Sequence, residues 1–230
     1  MKTIGIIGAM EQEIAFIKSE MDITSVDNIS GLDFYVGKLF NKNTVLVRCG
    51  IGKVNAAVCC QALIDSYGPG YIINTGAAGS ISNELDIGDI VISKDLVMHD
   101  FDITPIMPDY KGQEKYMQAD PGLIELAKTE AARVEEKGIK VYVGRIATGD
   151  RFICETEIKE KIWEEYEALC VEMEGAAVAQ ACQMNKVPFV IVRAVSDKAD
   201  EGASISLEEF VTSAAENSCE IIKGMAKRLA

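Results

Sequence analysis

The stretch Phe189-Val-Ile-Val-Arg-Ala-Val-Ser-Asp197 decides how this chain is read. Residues 189–192 are apolar without alternation, the mark of a strand inside a parallel sheet covered on both faces. The run then ends in charge, at Arg193 and Asp197. A second short strand, Val171-Glu-Met-Glu-Gly175, ends the same way. Residues two apart in an extended chain share a face, so Glu172 and Glu174 are expected to point one way, and Arg193, Val195 and Asp197 together on theirs. Ligands of open α/β sheets sit just beyond the carboxyl ends of the strands. Carboxylates gathered there, with too few bases to neutralise them, suggest chemistry on a substrate. The competing reading is that such acids cap the helices that follow, an account that fits one of them more easily than all three.

Outward from these two strands, the pattern alternates. Residues 3–8 read as a buried strand and 10–21 as a helix with Ile14, Ile17 and Met21 on its apolar face. Residues 22–30, 33–39 and 44–49 read as strands, with turns at Gly31 and 41–43. A helix rich in small residues covers 52–67. A strand over 71–75 runs into Gly76-Ala-Ala-Gly-Ser80, read as a turn where backbone can approach a ligand. A strand over 87–97 precedes an irregular segment, 99–117, of the length expected for a lid, a binding loop or an interface. Helices at 121–137 and 155–168 flank a strand at 141–147. A strand at 169–173, a helix to about 185, a strand at 189–195 and a helix from about 206 complete the chain. The expectation is one α/β domain over residues 1–230, with a mixed sheet and an early hairpin section.

Bulk properties narrow the function. The 230 residues are 48% hydrophobic and 26% charged, an ordinary globular balance. A net charge of −13 argues against nucleic acid and against an anionic membrane surface. The seven cysteines are odd in number, lack Cys-x-x-Cys spacing and lie mostly in apolar stretches. They read as buried thiols of a reducing compartment, so the expected location is cytoplasmic, without disulfides or zinc. The N-terminal apolar run is too short for a signal peptide.

Two motifs are tested and set aside. Gly50-Ile-Gly52-Lys53 lacks the third glycine of a dinucleotide fingerprint, and Lys53 is followed by Val54 where a P-loop needs Ser or Thr. His99, the one histidine, has neither a second histidine for a metal site nor a Gly-x-Ser-x-Gly elbow. It reads as holding a loop. No metal and no cofactor are expected.

Six segments occur in an order and spacing that match one family: Gly5-Ile-Ile-Gly-Ala-Met-Glu-Gln-Glu13, Gly50-Ile-Gly-Lys53, Ile73-Asn-Thr-Gly-Ala-Ala-Gly79, Gly149-Asp-Arg-Phe-Ile153, Val171-Glu-Met-Glu174 and Arg193-Ala-Val-Ser-Asp197. From residue 1 to about 225 the chain resembles the bacterial 5′-methylthioadenosine/S-adenosylhomocysteine nucleosidases of the nucleoside phosphorylase superfamily. The resemblance implies a three-layer α/β/α fold around a mixed, partly barrel-like sheet. It implies hydrolysis of the N-glycosidic bond of adenine thio-nucleosides, a place in methionine salvage and amino-acid biosynthesis, and a homodimer whose sites are completed by the neighbouring subunit.

Carried over by position, the catalytic set is Glu13, which positions the attacking water, Glu174, which binds the ribose hydroxyls, and Asp197, the acid at adenine N7. Phe152 and Ile153 match the purine-contacting pair, Met173 the residue beneath the ribose and Gly79 the approach to sugar and water. Met10, Ile51, Glu172, Arg193 and Ser196 complete the expected substrate-binding set. Breaking the ribose–adenine bond leaves positive charge on the sugar and negative charge on the base, so an ionised Glu174 suits the first and a protonated Asp197 the second. Burial and the nearby Glu13 and Glu174 are expected to raise the Asp197 pKa, with Arg193 opposing. Ala77, where some relatives carry serine, Arg151 beside the purine strip and the poorly matching loop 101–110 are departures. They leave the preference among thio-nucleosides open. A phosphorylase on the same scaffold and a hydrolase of another adenine nucleoside, such as aminodeoxyfutalosine, are the alternatives.

Overall fold

Strands without polar alternation need cover on both sides, and that requirement organises the chain. The computed structural model describes residues 2–103, 105–107 and 115–229. Among these, the strands are β1 (Ile4–Gly8), β2 (Asp22–Ile29), β3 (Leu32–Leu39), β4 (Lys42–Arg48), β5 (Tyr71–Ser80), β6 (Ile90–Met98), β7 (Met117–Gln118), β8 (Val141–Thr148), β9 (Cys170–Glu172) and β10 (Phe189–Asp197). The helices are α1 (Glu11–Ser19), α2 (Lys53–Tyr67), α3 (Pro121–Glu135), α4 (Thr156–Tyr166), α5 (Gly175–Asn185) and α6 (Ala203–Arg228).

All the strands join one mixed sheet, in the order β10-β6-β8-β9-β5-β1-β4-β3-β2 with β7 on the side of β6. Because β10 also pairs with β5, the first five strands of that order close into a ring. The partly barrel-like sheet expected from the resemblance is thus present. β2, β3 and β4 form the antiparallel hairpins of the open end. Alternate residues of β10 feed opposite cores. Phe189, Ile191 and Val195 pack with α2 and α5, whereas Val190, Val192 and Ala194 pack with α1, α3 and α6. Helices therefore cover the sheet from two sides, giving the three layers. All seven cysteines are free thiols, six of them buried. No helix among the described residues is long and apolar enough to cross a membrane.

Two expectations need correction. The glycine-rich segment after residue 75 is not a turn: β5 continues to Ser80, held by β10 along one edge and by β9 at Gly79 and Ser80. The second concerns β10, where the pairing with β5 steps from Val195 to Asp197, a bulge that leaves Ser196 unpaired and breaks strict alternation. Of the irregular segment, Thr104 and residues 108–114 lie outside the described residues. Its end, Met117–Gln118, pairs with β6.

Within and beside the ring, polar groups brace five strands. Arg193 of β10 is completely buried and donates to Glu172 of β9 and, at 2.7 Å, to Oδ1 of Asn74 in β5. Asn74 donates in turn to the carbonyl of Ile7 in β1 at 2.9 Å. Glu172 also accepts from the Thr148 hydroxyl at the end of β8. Removing one partner of a buried pair strands the other charge, at a cost of about 3–5 kcal/mol, whereas removing both can be close to neutral. Arg193→Met should therefore lower unfolding stability by about that amount, and adding Glu172→Gln should recover part of it. Chemical denaturation reads both; a single variant as stable as the native chain would contradict the brace.

Candidate active site

Glu13, Glu174 and Asp197 stand on the walls of one open cleft with a cavity volume of about 110 Å³. Gly79, Met173, Phe152, Met10, Ile51 and Ser196 line it too, as does Glu172. Ile153 lines an adjoining recess shared with Phe152, Met173, Gly79 and Asp197. Arg193 lines neither. It lies beneath the floor, so its expected contact with substrate is replaced by contact with carboxylates.

Glu13 occupies the third position of α1 and reaches back over the helix start. Its Oε2 accepts from the amides of Ala9 (2.7 Å) and Met10 (2.9 Å), a capping arrangement, and its Oε1 accepts from the amide of Ala77 at 2.9 Å. Gly76 makes this possible. A Cβ there would run into Arg193 Nη1 and Glu13 Oε1. The glycine signal was sound as a sign of close approach, but what approaches is the protein's own site.

Glu172 and Glu174 do different work despite their spacing. Glu172 Oε2 accepts from the amides of Glu174 (3.0 Å) and Gly175 (2.7 Å), so this acid caps α5 as well as pairing with Arg193. The capping account is right for Glu172. Glu174, at the N-cap of α5, has backbone angles of φ −132° and ψ −37° and makes no side-chain cap bond. Its carboxylate turns to the cleft, where Oε1 accepts from the Gly52 amide at 2.8 Å and Oε2 lies 3.7 Å from Arg193 Nη2. Burial, followed by the Glu172 charge, raises its pKa to about 7, against Arg193 and the Gly52 amide, which pull down. The expectation that Glu174 stays ionised thus meets a carboxyl poised near neutrality.

Asp197 is 1% exposed. Its Oδ1 accepts from the Ala199 amide at 2.9 Å, and its Oδ2 accepts from the hydroxyl of the bulged Ser196 at 2.8 Å. Burial pushes its pKa upward, the expected direction. The Ala199 and Ser196 bonds oppose this, and the carboxylate that assists is Asp200. Arg193 is instead engaged by Glu172 and Glu174. Gly79 lies under Asp197: a Cβ would come within 2.7 Å of Oδ1.

Sequence reasoning missed Val171, Ala78 and Leu207, which also line the cleft. Leu207 belongs to the first turns of α6, which begins at Ala203, earlier than expected. Its helical spacing to Val211 was the available signal. His99 does not line the cleft. Its ring lies against Gly149 and its amide donates to the Thr148 carbonyl at 3.0 Å, in keeping with a loop-holding role. Arg151 lies at the mouth of the recess and pairs with Glu155. No group of acids, cysteines or histidine suited to a metal ion occurs among the described residues.

The sequence and fold have counterparts. The family profile described as the phosphorylase superfamily matches residues 3–227. The chain is 42% identical over 224 residues to the 5′-methylthioadenosine/S-adenosylhomocysteine nucleosidase of Geobacillus kaustophilus, covering 96% of this chain and 94% of that one. The crystal structure of the nucleosidase of that name from Neisseria meningitidis, in complex with methylthio-immucillin-A, superposes with a TM-score of 0.94 at 41% identity, each chain covered in full. A structure of futalosine hydrolase from Helicobacter pylori superposes at 0.92 with 33% identity, covering 99% of this chain and 98% of that one. With sequence and fold in agreement, the chain belongs to the 5′-methylthioadenosine/S-adenosylhomocysteine nucleosidase family of the phosphorylase superfamily.

Proposed function

We propose that residues 1–230 work as one nucleosidase domain that hydrolyses the N-glycosidic bond of 5′-methylthioadenosine and S-adenosylhomocysteine, releasing adenine and the thioribose sugar. One observation carries the choice of water over phosphate. The main cleft is lined by Glu13, Glu174 and Asp197 but by no lysine or arginine among its described residues. Asn74, at the position in β5 where many phosphorylases place an arginine, is occupied in holding Arg193 and Ile7.

The roles follow from acceptor capacity. A carboxylate offers about four lone-pair sites. Backbone amides take three on Glu13, leaving room for one proton of an attacking water. Only one amide bonds Glu174, so its remaining sites can take two ribose hydroxyls while its charge faces the developing oxocarbenium ion. Asp197, with its raised pKa, gives its proton to N7 as the bond electrons pass to adenine; water then adds at the sugar carbon and passes its proton to the Glu13 carboxylate. Arg193 and Glu172 act from below, on Glu174. Phe152 and Met173 supply apolar contact to base and sugar.

The futalosine hydrolase likeness supports one alternative substrate, aminodeoxyfutalosine, in the same cleft. The free thiols favour a cytoplasmic setting, and the proposed activity supports a role in methionine salvage. A homodimer is supported by a stripe along α2: Val54, 74% exposed, and Val58 continue outward from Ile51 at the cleft edge. Exposed Ile106 and Met107 add to the apolar surface.

Adenine release from 5′-methylthioadenosine should proceed equally with and without phosphate and yield free methylthioribose. A sugar 1-phosphate as product would establish the phosphorylase instead. Asp197→Asn should reduce turnover by about 10²–10⁴-fold with the circular dichroism spectrum unchanged, and near-native turnover would remove this acid from the mechanism.

Folding lifts the Glu174 pKa from its ordinary 4.5 to about 7, so the folded state holds a proton that the unfolded state has lost. Its stabilising effect is full below pH 4.5 and lost as pH rises through 7. Glu174→Gln should consequently be inactive yet more heat-stable than the native protein at pH 8, by an amount on the order of 3 kcal/mol, with the gap closing at pH 5. Melting curves at the two pH values test this. Finally, Val54→Asp with Val58→Asp should convert a sedimenting dimer to monomer and weaken nucleoside binding. A native protein that sediments as monomer at micromolar concentration would end the dimer reading.

A further inference from the structure

The segment Gly50-Ile-Gly52-Lys53 fits no nucleotide-binding pattern, yet it sits at the cleft edge with an unusual set of bonds. Lys53 opens α2. Its amide donates to Asp150 Oδ1 at 2.7 Å, and its Nζ lies 2.5 Å from Asp100 Oδ1 and 3.8 Å from Asp150 Oδ2. The Asp150 amide donates to Asp100 Oδ2 at 2.8 Å, closing the triangle. Three loops therefore meet on one ammonium group: the one that follows β4, the one that follows β6 and the one that follows β8.

Two of these loops carry groups of the cleft. Next to Lys53 is Gly52, whose amide is the hydrogen bond on Glu174 Oε1. Gly52 has φ +99°, a conformation other residues avoid, and a Cβ there would come within 3.2 Å of Asp150 Oδ1. Two residues beyond Asp150 is Phe152, on the cleft wall.

We propose that Lys53 is a positioning residue, which by tying Asp100 and Asp150 together holds the Gly52 amide on Glu174 and Phe152 over the cleft. The ion pairs are partly exposed and contribute little to overall stability. Their effect is local: each loop has bonds of its own, such as the Gly50 amide to the Ala9 carbonyl and the Gly149 amide to the Glu172 carbonyl, and the lysine ties the loops to one another. Glu174 reports on it. The groups that face this carboxyl are Glu172 from β9, Arg193 from β10, Glu13 from α1, the Cys49 thiol after β4 and the Gly52 amide. Of these, only the amide is held by Lys53. Losing it removes one of the two influences that pull the Glu174 pKa down.

The consequence for catalysis rests on the nucleosidase reading, but the positioning role can be measured without it. In protein labelled with ¹³C at glutamate side chains, the Glu174 resonance is identified by its loss in Glu174→Gln and titrated in the native chain and in Lys53→Met. Its midpoint should rise by on the order of one pH unit, and Lys53→Arg should restore most of the difference. Asp100→Asn, which keeps Lys53 and Asp150, should move it the same way by less and serves if Lys53→Met does not fold. Midpoints unmoved in the folded variants overturn the proposal. With 5′-methylthioadenosine as substrate, the acid limb of the kcat profile should shift upward in Lys53→Met by the same amount, with KM raised several-fold. A native chain that releases no adenine while the midpoint still moves would sink the nucleosidase reading and leave the role of Lys53 standing.

Discussion

A guanidinium with no access to water lies under the cleft, and most of the site's geometry follows from the need to neutralise it. Burial disfavours the charge of Arg193, and Glu172, Glu174 and Glu13 outweigh that effect and raise its pKa above the ordinary value. Glu172 cannot serve while unsatisfied itself, so it accepts from Thr148 and from the first amides of α5. That pulls the start of α5 against the ends of β8 and β9. Glu174 is then left at the N-cap with its capping role already filled, and its side chain is free to enter the cleft. A buried pair of this kind adds little to stability over an apolar substitute. Here it sets the direction of a helix end, and with it the position of an acid.

Much of the fold was legible because strand burial writes itself as composition. The unbroken apolar runs of β1 and β10, the hairpin turns before β3 and β4, and the helical spacing of Ile14 and Ile17 all appear where the sequence places them. The failure at residues 76–80 is instructive. Glycine in a strand signals close approach as readily as a turn, and local sequence does not contain the approaching group. Arg193 and Glu13 are 117 and 63 residues away from Gly76 in the chain. Likewise, the bulge at Ser196 is a property of the pairing between β10 and β5, not of either strand alone.

The site divided in the same way. Positions of the acids followed from strand ends and from the resemblance, and the structure brings Glu13, Glu174 and Asp197 to one cleft. Their surroundings did not follow. Spacing suggested that Glu172 and Glu174 act as a pair on one face, but the chain leaves the strand after Glu172 and the two side chains diverge. Arg193 was expected to oppose the Asp197 shift, and the bulge and Glu172 keep it occupied elsewhere. Leu207 went unnoticed because its contribution depends on where α6 packs, a tertiary fact with only a weak local signal.

Glu13, Glu174 and Asp197, three of the four carboxyl groups that line the cleft, would repel one another if they were equivalent, and they are kept distinct by fixed donors. Glu13 holds three backbone amides, Glu174 one amide and a distant guanidinium, and Asp197 one amide and a hydroxyl. Backbone donors cannot rotate away or change charge with pH, so the differences between the acids persist before substrate arrives. That preorganisation is built from the floor upward by Arg193 and Glu172. At the rim, the single amide that Glu174 receives comes from a loop, and a loop must be tied to deliver a donor reliably. The floor therefore decides which acid enters the cleft, and the rim tunes how readily that acid gives up its charge.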